Sequence, residues 1–111
     1  MPLPSDERSV TIRQIGTADL AKQSGGFNVT TASQVVLVAD AARNELALVN
    51  DSDTTIYLKL QTVAGTNPTA VVSEGIRLNA AGGAWTSERF AGAVAAIHAG
   101  TGNKRLTVAE F

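Results

Sequence analysis

The chain has 111 residues, a net charge of -1 from nine Lys and Arg against ten Asp and Glu, and one histidine and no cysteine. This length fits a single domain. Without cysteine, disulfides and thiol chemistry are excluded, and one histidine argues against a transition-metal site. The sequence therefore predicts no metal and no cofactor.

The distribution of charge and hydrophobicity limits the partners. Basic residues are scattered rather than massed in the patch that binding to phosphate backbones requires, so we expect no nucleic acid. No apolar run approaches the length of a membrane span, so we expect no membrane. The first residues, MPLPSDERSV, carry acidic residues and prolines where a signal peptide has a basic start and an apolar core. We therefore expect a soluble chain that is not secreted.

Residues 1–33 differ from the remainder because proline and paired glycines interrupt polar stretches. Only residues 9–15 (SVTIRQI) alternate in the manner of a strand, and residues 17–23 (TADLAKQ) have the cap of a short helix. We interpret residues 1–33 as an extended N-terminal arm that lies on its own domain or on a neighbouring chain. A frayed terminus is the alternative.

From Gln34 onward the hydrophobic period is two, and the apolar runs end at Gly, Asn, Asp or Pro. The clearest strand is TTIYLKLQT, in which Ile56, Leu58 and Leu60 share one face. It forms a hairpin with NELALVN across the turn DSD. Seven or eight short strands at about ten-residue spacing predict an all-β domain over residues 34–111, a single antiparallel β-sandwich of jelly-roll or immunoglobulin-like type.

His98 is the first candidate for chemistry, in the predicted strand AVAAIHA, where it shares a face with Val94 and Ala96. A general base or a metal ligand needs a partner, and no carboxylate lies within two positions of His98. Ser73 and Ser87 lack the Gly-x-Ser-x-Gly elbow of a hydrolase. The sequence therefore predicts no catalytic residue and no enzyme.

Other residue types that bind ligands occur in patterns typical of turns. Asp51 and Asp53 flank a serine without the glycine and distal glutamate of a calcium loop. The paired glycines precede strand-like segments rather than the helix that a phosphate loop requires. Trp85 and Tyr57 are candidates for stacking on a sugar ring, although a single Trp beside a turn more often covers a core.

Four segments in order resemble small virion structural proteins of tailed bacteriophages. They are RNELALVNDSDTTIYLKL, EGIRLNAAGGAW, AGAVAAIHA and LTVAEF, which lie in this order within residues 43–111. The shared pattern is an Arg with alternating aliphatics, Asn-x-Ser, an IYL-type strand, a GI-x-L strand, a Gly-rich turn, a GAV-x-AI-x-A strand and a terminal V-x-E. The resemblance does not extend to residues 1–34.

The resemblance implies a β-sandwich subunit of the virion, most plausibly a head decoration (cement) protein seated between capsomers. Its partners would be the major capsid protein or other virion subunits, and copies of itself in a homo-oligomer, with a trimer as one option. An arm of this kind can add a strand to a neighbour's sheet edge. We expect three apolar anchors and two residues at a polar rim. These candidate partner-binding residues are Arg8, Val10, Ile12, Arg13 and Ile15.

Two alternatives stay open beside the decoration protein. One is a neck, tail or fibre-associated virion protein, since no motif in the arm fixes the position in the particle. The other is a carbohydrate- or receptor-binding module, which requires Trp85 or Tyr57 to be exposed in a shallow groove. An enzyme ranks last, because it would need a second ionisable group beside His98.

Overall fold

The computed structural model describes residues 23–111, which form eight β-strands and no helix. There is hence no helix in this range long and apolar enough to cross a membrane. The strands are β1 (Gln23–Val29), β2 (Gln34–Leu37), β3 (Leu46–Asn50), β4 (Ile56–Leu60), β5 (Ile76–Leu78), β6 (Ala84–Ser87), β7 (Val94–His98) and β8 (Lys104–Glu110).

The strands form two four-stranded antiparallel sheets with the orders β1-β8-β3-β6 and β2-β7-β4-β5. Strand pairs are nested: β1 pairs with β8, β2 with β7, β3 with β6 and β4 with β5. Every connection except β4–β5 crosses from one sheet to the other. This is the jelly-roll arrangement, so the predicted antiparallel β-sandwich is confirmed. The predicted hairpin of NELALVN with TTIYLKLQT is wrong, because β3 and β4 lie in different sheets and the DSD turn joins the two layers.

The core lies between the two sheets and follows the period-two pattern of the sequence. In β3, Leu46 and Leu48 are buried while Ala47 and Val49 between them are partly exposed. The same alternation runs through β4 and β8 because successive side chains point to opposite faces of a sheet. The buried cluster comprises Val29, Val36, Leu37, Leu46, Leu48, Ile56, Leu58, Leu78, Val94, Ala96, Leu106 and Val108.

β1 lies inside the range that the sequence assigned to the arm. Residues 23–29 pair with β8 over its whole length, and Val29 is fully buried. Gly25 and Gly26 had indicated a break in structure, but both are accommodated within the strand. The first sheet therefore includes β1, and the part of the predicted arm before residue 23 lies outside the described residues.

β7 carries apolar side chains on both of its faces, and only one of these faces points into the core between the sheets. Val94, Ala96 and His98 lie opposite Leu60, Leu58 and Ile56 of β4, on the buried face. Ala95 and Ile97 lie on the outer face, and a bulge in the partner strand β2 falls between Val35 and Leu37. The extra residue lets both Val36 and Leu37 be buried.

The connections gather at two ends of the sandwich. Residues 38–45, 61–75 and 88–93 lie at one end, together with the start of β1 and the end of β8; we name it the Arg43 end. Residues 30–33, 51–55, 79–83 and 99–103 lie at the other, which we name the His98 end.

Candidate functional site

His98 is fully buried at the end of β7, and both of its ring nitrogens are occupied by the backbone. The Gly100 amide donates to Nδ1 at 2.9 Å, and Nε2 lies 2.8 Å from the Gly102 carbonyl oxygen. Because Nδ1 accepts, the proton must be on Nε2, which donates to Gly102. The imidazole thus holds the turn between β7 and β8.

This geometry leaves His98 with no nitrogen free to accept a substrate proton or to bind a metal ion. Among residues 23–111 there is also no group of three or more His, Asp or Glu side chains placed to hold a metal. The role of the imidazole in this position is structural: it satisfies one backbone donor, the Gly100 amide, and one backbone acceptor, the Gly102 carbonyl, of its own turn.

The two aspartates of the DSD turn face different partners. Asp53 Oδ1 accepts from Lys104 Nζ at 2.9 Å, and the hydrogen bonds from Lys104 and Thr54 hold the pKa of the Asp53 carboxyl below its usual value of 3.8. Asp51 instead accepts from the hydroxyl of Thr107. The carboxylates are therefore committed separately to β8 rather than converging on one cation.

Of the two glycine pairs, Gly82-Gly83 forms a turn, whereas Gly25-Gly26 lies within β1. Gly82 and Gly83 close the connection into β6, a strand rather than a helix, and a Cβ on Gly83 would lie 2.4 Å from the backbone of Asn79. Ser87 Oγ accepts from the amides of Arg89 and Phe90. The turn that the sequence favoured is therefore confirmed for Gly82-Gly83 and is wrong for Gly25-Gly26.

Trp85 and Tyr57 lie apart, on different sheets. Trp85 of β6 is partly buried against the core and makes an edge-to-face contact with Phe90, with ring centroids 6.1 Å apart. Tyr57 of β4 is on the outer face of the second sheet, opposite Arg77. With Ser73, Gly75 and Arg77 it lines a depression of about 430 Å³. The two aromatic rings cannot form one sugar-binding platform.

Arg43 is the main polar group buried at its end of the sandwich. Its Nε donates to Glu110 Oε2 at 2.7 Å. The two remaining nitrogens donate to three carbonyl oxygens at 2.6–3.0 Å, those of Val38, Phe90 and Gly92. One guanidinium thereby joins the end of β8 to the connections on either side of it, and its planar fork suits this use.

Asn50 has the corresponding role near the opposite end. Its side-chain amide donates to the carbonyl oxygens of Thr54 and Leu78, at 2.8 and 2.9 Å. Its Oδ1 accepts from the amide and the hydroxyl of Ser52. Asn50 is fully buried, so these bonds compensate for its loss of water. These bonds tie the end of β3 to the DSD turn and to β5 in the opposite sheet.

The sequence interpretation did not assign these structural roles to Arg43, Asn50 and Glu110. A signal was nevertheless present, since all three belong to the pattern that carries the virion resemblance: the leading Arg, Asn-x-Ser and V-x-E. In the structure these polar residues close the two ends of the sandwich. The resemblance therefore rests on residues that hold the fold together.

Exposed apolar surface is concentrated at the Arg43 end. The three large hydrophobic side chains exposed among residues 23–111 are Val38 (67%), Val63 (58%) and Val71 (46%), all in connections at this end. A groove of about 440 Å³ lies there. It is lined by residues 61–65 and 89–92 together with Ala39 and Ala41. Most of its side chains are small or apolar, so it offers packing surface rather than reactive groups.

The edge of β1 is a second surface that can bind a partner. Within residues 23–111, no strand pairs with the side of β1 that faces away from β8. The strand QSGGFNV has seven residues with no charge and no proline, whereas the other edge strands have three or four residues. Charge, proline and short length are the usual protections of a sheet edge. β1 has none of them.

The five predicted partner-binding residues, Arg8, Val10, Ile12, Arg13 and Ile15, lie outside the described residues. The structure therefore gives neither their contacts nor their positions. It does place the residue that follows them: Gln23 lies opposite Glu110, at the Arg43 end.

Comparisons of the chain with protein-family models, with curated proteins and with solved structures return no match. The features that bear on function are therefore the fold, the groove at the Arg43 end, the edge of β1 and the resemblance of residues 43–111 to small phage virion proteins.

Proposed function

We propose that the chain is a non-enzymatic structural subunit of a bacteriophage virion, a head decoration protein that binds neighbouring capsid subunits and stabilises the head. The observation that carries this proposal is the seven-residue edge of β1 on a jelly-roll sandwich, with which no other strand of residues 23–111 pairs. A free edge of this length is a template for strand addition by another chain.

The fold supports the proposal by analogy. Jelly rolls occur in viral capsid domains and in lectins, and a fold alone does not determine a function. The arrangement of the ionisable groups agrees with a binding role, since His98 and Asp53 are engaged within the domain. The near-neutral net charge leaves little electrostatic repulsion between copies.

The arm adds a means of attachment. Residues 9–15 alternate as a strand should, and the anchors Val10, Ile12 and Ile15 provide apolar contacts flanked by Arg8 and Arg13. Individually weak contacts suffice in a particle, because many copies bind at once. The partners on this proposal are the major capsid protein or other virion subunits, and the site of action is the virion.

Incorporation into particles tests the proposal. The chain is co-expressed with the proteins that assemble a phage head, and purified particles are assayed for its presence. We expect the parent chain in the particles, and at least tenfold less of the triple variant Val10→Asp/Ile12→Asp/Ile15→Asp, since each charge removes an apolar anchor. The variant Thr11→Asp/Gln14→Asp, which alters intervening positions, is the matched control. Absence of the parent chain from particles would refute the virion role.

The depression beside Tyr57 favours one second candidate, a carbohydrate-binding module. A ring face with a neighbouring guanidinium, Arg77, is suited to a sugar. A glycan array separates the two proposals: binding that is lost in Tyr57→Ala and retained in Trp85→Phe would favour the module. Lack of binding by the parent chain would leave the virion subunit as the proposal.

A further inference from the structure

The starting observation is the unequal distribution of exposed apolar side chains between the two ends of the sandwich. Val38, Val63 and Val71 are all at the Arg43 end. The opposite end is polar: there Lys104 pairs with Asp53, and Asn50 and His98 satisfy the turns. Exposed apolar surface next to a groove marks a place where something packs.

The second observation is where the chain enters the described domain. Gln23 lies opposite Glu110, whose carboxylate binds Arg43. The same guanidinium binds the carbonyl oxygens of Phe90 and Gly92, and both of these residues line the groove. The start of β1 and the groove are thus joined by one short series of contacts, and 22 residues precede that start.

The third observation is the composition of those 22 residues. They contain the alternating segment 9–15 with Val10, Ile12 and Ile15, and seven residues separate Ile15 from Gln23. Seven residues span at most about 25 Å. The groove is lined by the connection after β4, two strand spacings from the β2 edge of its sheet. Two spacings of about 4.8 Å and a sheet separation of about 10 Å combine to about 14 Å, so the segment can reach the groove of its own domain.

We infer that in the isolated subunit the groove at the Arg43 end binds residues 9–15 of the same chain, with Val10 and Ile12, which share one face of an extended segment, as the groups that pack there. A short tether gives an effective concentration in the millimolar range, so the chain's own segment competes well against a second molecule. The inference concerns the free subunit and does not depend on the virion role.

Limited proteolysis of the full-length chain tests this inference. Trypsin cleaves after Arg13, inside the segment, only while the segment is undocked. Val63→Asp places a charge in the groove on a side chain that is 58% exposed, so the domain keeps its fold. We expect the rate of cleavage after Arg13 to rise about tenfold, which corresponds to the loss of one buried valine. Ile12→Asp should give a similar rise.

Val71→Asp is the matched control, because Val71 is an exposed valine in the same connection that does not line the groove. Its cleavage rate should equal that of the parent. Equal rates for the parent, Val63→Asp and Ile12→Asp would overturn the inference, as would an equal rise in the control. Circular dichroism of each variant checks that the fold is kept.

Dilution determines which chain supplies the segment. Docking within one chain gives protection of Arg13 that is independent of protein concentration, together with a monomeric mass by light scattering. Protection that disappears on dilution, along with a dimer, would overturn the intrachain placement. Because no particle is involved, failure here is distinguishable from failure of the proposed function.

Discussion

Arg43 illustrates how a single side chain decides local architecture. Its side chain is completely buried, yet its hydrogen bonds reach one carboxylate and three carbonyl oxygens. A buried ion pair contributes little net stability when compared with a well-packed apolar pair, but removing one partner is costly because the other charge is left buried alone.

Arg43→Met tests this role. We expect the free energy of unfolding to fall by about 3–5 kcal/mol, since Glu110 and three carbonyl oxygens lose their donor. Urea denaturation measures the change. Arg89→Met, which replaces an exposed arginine in the neighbouring connection, should change it by less than about 0.5 kcal/mol. A similar loss in both variants would contradict the assigned role.

His98→Ala should lower stability while leaving any binding function intact. Removal of the ring creates a cavity and leaves the Gly100 amide and the Gly102 carbonyl without partners, so we expect a loss of about 2–4 kcal/mol. In the parent, NMR of the ring nitrogens should report the Nε2–H tautomer. A fully populated Nδ1–H tautomer would show that the assigned hydrogen bonds are wrong.

Asp53 makes stability depend on pH in the acid range. Its pKa is lowered in the folded chain, chiefly by the hydrogen bond from Lys104. The contribution of Asp53 is therefore fully present above the unfolded value near 3.8 and is lost as the pH falls through the lower folded value. Lys104→Met should shift the Asp53 pKa, followed by NMR titration, upward. An unchanged pKa would exclude Lys104 as its cause.

At the scale of elements, the sequence predicted most strands but not how the strands pair within the two sheets. Period-two alternation identified β3, β4 and β8 because each has one face toward solvent and one buried face. β1 was missed, since two of its seven residues are glycines and glycine carries no side chain to show a face. Arg43 was missed as a buried residue because a charge normally indicates the surface.

Deletion of strands should have effects that depend on their position in the sheet. Removing residues 1–22 should leave the domain folded, whereas removing residues 1–29 deletes β1 and exposes the edge of β8 together with part of the core. We expect the shorter deletion to unfold cooperatively on heating and the longer one to aggregate. Differential scanning calorimetry and light scattering measure both. Cooperative unfolding of the longer deletion would show that β1 is dispensable.

At the scale of the whole molecule, the first and last strands are neighbours. Gln23 and Glu110 face each other across β1 and β8, so a short linker can join the ends of the described domain. A permutant of residues 23–111 with new termini between Thr66 and Asn67, which are exposed, should keep the circular dichroism of the parent domain. New termini inside β4 should abolish it.

The nested pairing of strands also governs how the protein is made. Of the eight described strands a ribosome delivers β1 first and its partner β8 last, so the first sheet lacks one of its two central strands until residues 104–110 have been made. Only the β4–β5 hairpin can close early, because its two strands are next to each other both in the chain and in a sheet. Apolar faces of each nascent chain therefore stay uncovered until residues 104–111 leave the exit tunnel, and during that interval the chain is exposed to aggregation.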